Sequence, residues 1–215
     1  MKNVSDLILD EFVEACRKVG RRGLVRCSSG NLSLRADDGR MLATSSRSWL
    51  ENMTAEQVSL CRISDGALLD GPKATVEIGF HAKVLQKRPD VNVVLHFQTP
   101  CATALACRED DDVNYFVIPE IPFYIGHIAR VPYLAPGSSE LSEVVADALQ
   151  EHDMVVMGNH GAATVAADYA HAIQNAEFFE LACEVILQGG SGLRALPAVE
   201  VERLLASRQR AGNGV

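Results

Sequence analysis

Residues 91–98, Val91-Asn92-Val93-Val94-Leu95-His96-Phe97-Gln98, form a nearly all-apolar run that ends in two polar side chains. An apolar run of this length is typical of a strand that is buried on both faces. Because residues two apart on a strand point to the same side, His96 and Gln98 face one point while Phe97 packs behind them. The run therefore predicts a buried strand with polar groups at its end, where sheets often place ligand contacts. Taken alone, His96 is equally consistent with a hydrogen-bonded structural histidine.

Strand and helix patterns alternate on both sides of this run. Strand patterns lie at 32–35, 41–44, 58–63, 154–157 and 162–165, and helical patterns at 4–19, 75–86, 100–106, 138–150, 168–187 and around 199–205. Asn3 or Ser5, Ser138 or Ser139, and Asp168 are the residues expected to cap helices. Tight turns at 37–39 and 158–161 return the chain as hairpins. The pattern predicts an α/β fold with a central, mostly antiparallel sheet flanked by helices, whereas prolines interrupt residues 113–131 and leave them unassigned.

Composition limits the classes of function. The 215 residues suit a single domain, 1–215, in which segment 189–215 has the weakest pattern. The formal charge of −8 (20 basic minus 28 acidic residues) argues against nucleic acid or an anionic membrane as the main partner. We expect no signal peptide and no bilayer span, because no apolar run is long enough. The six cysteines form no Cys-x-x-Cys pair, which favours reduced core thiols in the cytoplasm.

Three further segments carry groups that can do chemistry. Glu77 and His81 are four apart in a predicted helix and share a face, although a surface pair is the simpler explanation. His160 lies in a glycine-flanked turn that permits close approach of a ligand, or is simply an exposed turn histidine. The turns 28–31 and 44–47 are rich in hydroxyl and N–H donors that can surround a phosphate, but small polar turns are also common.

The order of these segments resembles the class II aldolase and adducin family. The matching segments are Gly30-Asn31-Leu32-Ser33, Met41-Leu42-Ala43-Thr44-Ser45-Ser46, Glu77-Ile78-Gly79-Phe80-His81, Arg88-Pro89-Asp90-Val91-Asn92-Val93-Val94-Leu95-His96, Pro132-Tyr133 with Gly137 and Glu140-Leu141, and Asn159-His160-Gly161. The resemblance covers about residues 8–188. It implies a three-layer α/β/α fold and a homotetramer with active sites between subunits.

The resemblance also implies a metal site and a reaction. Carried over by position, the ligands of a divalent ion, most simply Zn²⁺, are His96, Gln98, His160 and Glu77, and Glu77 is also the acid/base. Tyr124, with Tyr115 as the alternative, is the expected second acid. Gly30, Asn31, Ser46, Arg47 and Thr75 fall where phosphate contacts lie. The implied activity is reversible cleavage of a ketose 1-phosphate, such as L-fuculose 1-phosphate, to dihydroxyacetone phosphate and a small aldehyde.

Two departures from the family pattern keep alternatives open. Gln98 stands where the family has a second histidine, and an amide oxygen is a weaker zinc ligand than imidazole. His81 is then a further candidate ligand, and the identity of the metal is open. Arg47 replaces a small residue in the phosphate pocket and is suited to a phosphate or to another acidic group such as a carboxylate. Pentulose-phosphate epimerisation, dehydration, decarboxylation and a non-catalytic, adducin-like assembly role are the remaining alternatives.

Overall fold

An eight-stranded sheet forms the middle of the protein. The computed structural model describes residues 4–109 and 112–212, with side chains up to residue 208. The strands are β1 (Asn31–Arg35), β2 (Arg40–Thr44), β3 (Val58–Arg62), β4 (Leu68–Asp70), β5 (Val93–Phe97), β6 (Ala129–Val131), β7 (Met154–Met157) and β8 (Gly161–Ala166). Their order in the sheet is β4-β3-β2-β1-β5-β8-β7-β6. Neighbours are antiparallel except β6 and β7, which are parallel, so the prediction of a mostly antiparallel sheet is confirmed.

Helices cover both faces of the sheet. They are α1 (Asp6–Arg21), α2 (Ile78–Lys87), α3 (Pro100–Ala106), α4 (Ser139–Glu151), α5 (Tyr169–Gly189) and α6 (Ala198–Gly212). On one face, α1, α3 and α5 bury apolar side chains such as Phe12, Leu105 and Phe179. On the other face, α2 and α4 bury a second cluster that includes Phe80 and Val145. The three-layer arrangement is therefore confirmed. None of the helices in the described ranges has the length and apolar character that a bilayer span requires.

Side-chain caps set the first residue of three helices. The Ser5 hydroxyl accepts a hydrogen bond from the Ile8 N–H, and the Ser138 hydroxyl accepts one from Leu141. Asp168 caps α5 in the same way. Each satisfies one of the N–H groups that a helix leaves without a partner at its N-terminus. Asn3, the other candidate cap of the first helix, lies outside the described residues.

The helix predicted from Thr75 begins three residues later, at Ile78. The Thr75 N–H donates to the Thr44 carbonyl, and Ala74 forms a bridge with Ser45, so this part of the chain is still tied to the end of β2. The helix can begin only after the chain leaves the sheet. Glu77 therefore lies at the residue before α2 rather than within it, and the expectation that it shares a helical face with His81 is wrong.

The two segments with weak patterns pack on each other. Residues 113–131 contain a π-helical turn, Ile121–Ile125, followed by the short strand β6. Arg208 of α6 donates to the Tyr124 carbonyl and pairs with Asp153, the residue before β7. Leu196 likewise donates its N–H to the Phe116 carbonyl. The described part of segment 189–215 thus contacts the region that the prolines had left unassigned.

Candidate metal and substrate site

Three buried side chains meet at one edge of the sheet. Glu77 Oε2 lies 3.5 Å from His96 Nε2, and Glu77 Oε1 lies 3.5 Å from His160 Nε2. The two imidazole rings are 4.8 Å apart between centroids. One oxygen or nitrogen atom from each residue lies within 4.8 Å of the others. We call these residues, Glu77, His96 and His160, the Glu-His-His cluster.

His96 is fixed by the two strands that flank β5. It lies opposite Asn31 of β1 and Ala163 of β8. Its Nδ1 is 3.0 Å from the Ala162 carbonyl oxygen. Because a carbonyl only accepts hydrogen bonds, Nδ1 carries the proton and Nε2 presents its lone pair to the cluster. A backbone partner of this kind is typical of metal-binding histidines, whose second nitrogen it orients.

His160 is held by the tight turn between β7 and β8. Asn159 adopts a φ of 53° and donates its N–H to the Ala106 carbonyl. Gln98 Nε2 donates to the His160 carbonyl oxygen over 2.7 Å. Burial, and then the His96 imidazole, lowers the pKa of His160 to about 4, although Glu77 opposes the shift. The imidazole is therefore neutral at neutral pH, which is the form that binds metal ions.

The two carboxylate oxygens of Glu77 have different surroundings. Oε2 accepts a 2.8 Å hydrogen bond from Asn31 Nδ2, whereas Oε1 is buried without a hydrogen-bond partner among the described residues. Burial acts to raise the pKa of the Glu77 carboxyl, but attraction to His96, the Asn31 hydrogen bond and attraction to His160 together hold it below its ordinary value. Glu77 is therefore a carboxylate at neutral pH.

His81 lies behind the cluster and is not one of its members. Its Nε2 is 2.5 Å from Asn31 Oδ1, and its Nδ1 is 2.7 Å from the Ser33 hydroxyl. Its side chain is fully buried. Burial lowers the pKa of His81 to about 3, while Glu77 opposes the shift and His96 adds to it. With both ring nitrogens engaged, His81 does not act as the reserve metal ligand that the sequence suggested.

The Glu-His-His cluster fits a divalent metal ion. Two imidazole nitrogens and one carboxylate are a donor set found in catalytic zinc sites, where three protein ligands leave a position for water or substrate. The buried Glu77 Oε1 without a hydrogen bond is the atom that such an ion would satisfy. Gln98 also lines the site, but its amide nitrogen is used by the His160 carbonyl, so its amide oxygen is the group left for a ligand.

A cavity of ≈ 240 Å³ joins this cluster to a polar cradle. All five residues expected at the phosphate line it: Gly30, Asn31, Ser46, Arg47 and Thr75. The Ser46 N–H is used by the Lys73 carbonyl, so its hydroxyl is the group that remains for a ligand. Ser28, Ser29, Ser45, Val76 and Pro136 complete the wall.

Neither candidate tyrosine lines this cavity in a single chain. Tyr124 belongs to the π-helical turn, stacks on Phe178 and is 41% exposed. Tyr115 is buried against Phe179, 5.2 Å away between ring centroids. Ser33, whose hydroxyl contacts His81, is a site residue that was not expected from the sequence. Its position two residues after Asn31 on a strand was the available signal, because it places both side chains on one face.

Comparisons with known proteins identify the family of the chain. The sequence profile of the Class II Aldolase and Adducin N-terminal domain matches residues 10–187. A 3-oxo-tetronate 4-phosphate decarboxylase of Haemophilus influenzae is 30% identical over 206 residues, which are 94% of this chain and 98% of the relative. An L-fuculose phosphate aldolase of Methanococcus maripaludis is 31% identical over 173 residues, 80% of this chain and 92% of the relative.

Solved structures share the fold over nearly the whole chain. The crystal structure of YgbL from Escherichia coli, described as a putative aldolase/epimerase/decarboxylase, is 28% identical with a TM-score of 0.87 and covers 93% of this chain and 98% of its own. An L-fuculose 1-phosphate aldolase has a TM-score of 0.82 at 22% identity and covers 95% of this chain and 97% of its own, which shows the common fold alone.

Proposed function

The chain belongs to the class II aldolase and adducin family, and on this premise we propose that it is a metal-dependent lyase that decarboxylates a small 3-oxo sugar-acid phosphate. The observation that carries the proposal is the single cavity in which the Glu-His-His cluster faces a cradle of hydroxyl groups and a guanidinium. Relatives named 3-oxo-tetronate 4-phosphate decarboxylase support the choice, because they align over 94% of this chain.

The chemistry of such a substrate fits the two ends of the cavity. A four-carbon acid with a hydroxyl at C2, a ketone at C3 and a phosphate at C4 loses its carboxylate as carbon dioxide. The electron pair of the broken carbon–carbon bond stays on C2, next to the ketone, and a proton added there gives dihydroxyacetone phosphate. Glu77, His96 and His160 would hold a divalent ion, which we propose to be zinc, and this ion would supply Lewis-acid stabilisation of the negative charge next to the ketone.

Side chains of the protein are assigned substrate binding and proton transfer in this proposal. The phosphate lies in the cradle formed by Gly30, Asn31, Ser46, Arg47 and Thr75. Placing the phosphate there directs the ketone toward the cluster, so that binding energy at a remote group orients the reacting carbon. Glu77 Oε1, the oxygen without a hydrogen bond, would take a proton from a water molecule and pass it to C2. Gln98 supports the turn that holds His160, and its amide oxygen is a further ligand in this proposal.

Aldol cleavage is the second candidate. It is favoured by 31% identity to an L-fuculose phosphate aldolase. Aldol cleavage requires a group that takes the proton from the hydroxyl of the departing aldehyde, whereas decarboxylation does not. Tyr124, proposed for that role, lies away from the cavity of its own chain but is exposed, so it is available to a site between subunits of the homotetramer that we also propose. We place the protein in the cytoplasm on the basis of its six free cysteines.

The test is a product assay that separates the two reactions. Both release dihydroxyacetone phosphate, so its formation alone does not discriminate. We would incubate the metal-free protein, with and without added Zn²⁺ or Mn²⁺, with 3-oxo-tetronate 4-phosphate and with a panel of ketose 1-phosphates, and measure carbon dioxide and aldehyde separately. We expect metal-dependent carbon dioxide release from the oxo acid.

The Glu77→Gln variant is the control for the catalytic role of the cluster. Loss of the proton carrier and of one metal ligand should lower kcat by at least about 100-fold. Metal-dependent aldehyde release without carbon dioxide would favour the second candidate. No turnover of any substrate with either metal would contradict both, and normal turnover of Glu77→Gln would contradict the assigned role of Glu77.

A further inference from the structure

A buried chain of hydrogen bonds leads from β1 to Glu77. The Ser33 hydroxyl lies 2.7 Å from His81 Nδ1, His81 Nε2 lies 2.5 Å from Asn31 Oδ1, and Asn31 Nδ2 lies 2.8 Å from Glu77 Oε2. All four residues are buried, with exposed fractions of 0% for Ser33 and His81, 5% for Asn31 and 3% for Glu77. No step of the proposed reaction uses Ser33 or His81, so the chain needs an explanation of its own.

The direction of every bond in this chain is determined. A carboxylate at Glu77 only accepts, so the Asn31 amide must turn its NH₂ group toward Glu77 and its oxygen toward His81. An amide oxygen also only accepts, so His81 Nε2 carries a proton. Nδ1 of the neutral ring then accepts from the Ser33 hydroxyl. Each donor points toward Glu77, and the orientation of the Asn31 amide is set by Glu77 at its nitrogen and by His81 at its oxygen.

We propose that His81 is a positioning residue of this site, which holds the Asn31 amide so that Asn31 fixes one oxygen of Glu77 and leaves the other for the metal and the substrate. This inference rests on the proposed function, because it assigns Oε1 the work of ligand and proton carrier. Asn31 thereby has a task beyond the phosphate contact, since its side chain orients the carboxylate that completes the metal site.

The fold explains why these residues meet. Asn31 and Ser33 lie on the same face of β1, and α2 crosses that face with His81 one turn after Glu77. Without a donor at position 81, the Asn31 amide oxygen is buried with no donor in this chain of contacts, and the Glu77 carboxylate alone keeps the NH₂ group turned toward it. The Asn31 side chain can then leave this position to reach another donor, and Glu77 loses the hydrogen bond that fixes Oε2. An amide is a poor proton carrier between a histidine and a carboxylate, so the chain orients Glu77 and does not deliver protons.

Two amide substitutions separate this role from simple packing. A glutamine side chain places its amide nitrogen where His Nε2 lies, so His81→Gln keeps the donor to Asn31. The shorter side chain of His81→Asn reaches only the position of Nδ1, so it keeps the Ser33 contact and loses the donor to Asn31. Both variants bury one neutral amide in place of the imidazole, which makes them a matched pair. His81→Phe, which fills the same space, serves as the second donor-free variant if His81→Asn does not fold.

The first measurement is Zn²⁺ binding to the metal-free protein, by competition with a chromophoric chelator, which is independent of any substrate. We expect His81→Asn to bind Zn²⁺ about 10- to 100-fold more weakly than wild type, the range seen when residues that orient metal ligands are changed. His81→Gln should stay within about 2-fold of wild type, the usual error of such comparisons. In the presence of substrate, kcat should fall with Zn²⁺ affinity while KM changes less, because the other four cradle residues (Gly30, Ser46, Arg47 and Thr75) do not hydrogen-bond to His81.

The same pair is then compared in an Asn31→Ala background. If His81 acts through Asn31, the two variants bind Zn²⁺ equally once the Asn31 amide is gone. Equal affinities of His81→Asn and His81→Gln in the wild-type background would overturn the proposal, as would a difference that persists without Asn31. Zn²⁺ binding that follows the expected order in a protein without lyase activity would leave this inference intact and refute the proposed function alone.

Discussion

Arg47 holds an unusual backbone conformation in the wall of the cavity. Its φ of 64° lies in the left-handed region, which costs a residue with a Cβ about 1 kcal/mol or more. The turn that contains it is closed by a 2.6 Å contact between the hydroxyl groups of Ser45 and Ser48. In the described ranges its guanidinium makes no hydrogen bond or ion pair. A cation with no partner, placed beside the cradle by a constrained turn, suits an anionic group of the substrate.

We therefore expect Arg47→Ser to weaken substrate binding. A charge-assisted hydrogen bond contributes roughly 1.5–3 kcal/mol, so kcat/KM should fall by about 10- to 100-fold. Most of the loss should appear in KM, because the phosphate does not take part in bond breaking. Steady-state kinetics and competition by inorganic phosphate measure the effect. Arg26→Ser is the control, since Arg26 is exposed and does not line the cavity. An unchanged KM in Arg47→Ser would show that the guanidinium does not contact the substrate.

Individual site residues were predictable where the residue type itself indicates the chemistry. Glu77, His96 and His160 carry groups that bind metals, and their segments occur in the order of the family. His81 was predictable only as a candidate ligand, because its actual contacts depend on Ser33 and Asn31 of a strand 48 to 50 positions away in the sequence. Spacing along one helix cannot reveal a partner on a different strand.

At the scale of elements, Gly30 permits the close approach of the first strand to the site. Its φ is 71°, and a Cβ at this position would lie 2.3 Å from Val25 Cγ1 and 2.7 Å from the His96 carbonyl oxygen. The residue directly precedes β1 and the Asn31 side chain that contacts Glu77. A side chain here would have to displace backbone atoms of β5, which have no alternative position in the sheet.

Gly30→Ala should therefore destabilise the protein by about 2–4 kcal/mol, combining backbone strain with overpacking. Gly23→Ala is the matched control, because Gly23 has a φ of 70° and open space within 4 Å around its Cβ position. Gly23→Ala should lower the free energy of unfolding only by the cost of the backbone strain, about 1 kcal/mol. Urea unfolding of both variants gives the two values. If both variants lost the same free energy of unfolding, the close approach of Gly30 to β5 would contribute nothing to the effect of Gly30→Ala.

The elements that the sequence predicted best were those with local signals. Ser5, Ser138 and Asp168 cap their helices as expected, since a cap depends on only three or four neighbouring residues. The start of α2 was misplaced because the preceding residues pair with β2, which is a long-range contact. The segment 113–131 was not assignable, because its π-helical turn is stabilised by α6 rather than by a periodic pattern.

At the scale of the whole molecule, the family resemblance implied the three layers, and alternating strand and helix patterns were sufficient to predict a central sheet flanked by helices. They were not sufficient to predict the cavity, whose wall comes from segments that span residues 28–160. Those segments meet because β5 lies between β1 and β8, with His96 opposite Asn31 on one side and Ala163 on the other. The strand order of the sheet, which periodicity does not contain, therefore decides which polar residues share one site.

Buried neutral histidine makes the stability of the whole fold sensitive to acid. The pKa of His81 is about 3 in the folded protein against an ordinary value of 6.5. Between these values the unfolded chain binds a proton that the folded protein does not, so the unfolded state gains stability as the pH falls. The His81 contribution to stability is complete above pH 6.5 and decreases progressively toward pH 3. Glu77 and His96 are the ionisable groups that act on His81, one raising and one lowering its pKa.

We expect this linkage to cost wild type about 2 kcal/mol of unfolding free energy between pH 7 and pH 5. In His81→Gln the loss of unfolding free energy between pH 7 and pH 5 should be smaller by about 2 kcal/mol, because glutamine does not titrate. His160 and the surface carboxylates are present in both proteins, so their contributions cancel in the difference. Urea unfolding at half-unit steps, with a chelator to remove metal-linked effects, gives the two curves. If the unfolding free energies of wild type and His81→Gln changed in parallel with pH, His81 would bind its proton equally well in the folded and unfolded states. The neutral ring, and with it the direction assigned to the hydrogen bonds that end on Glu77, would then be wrong.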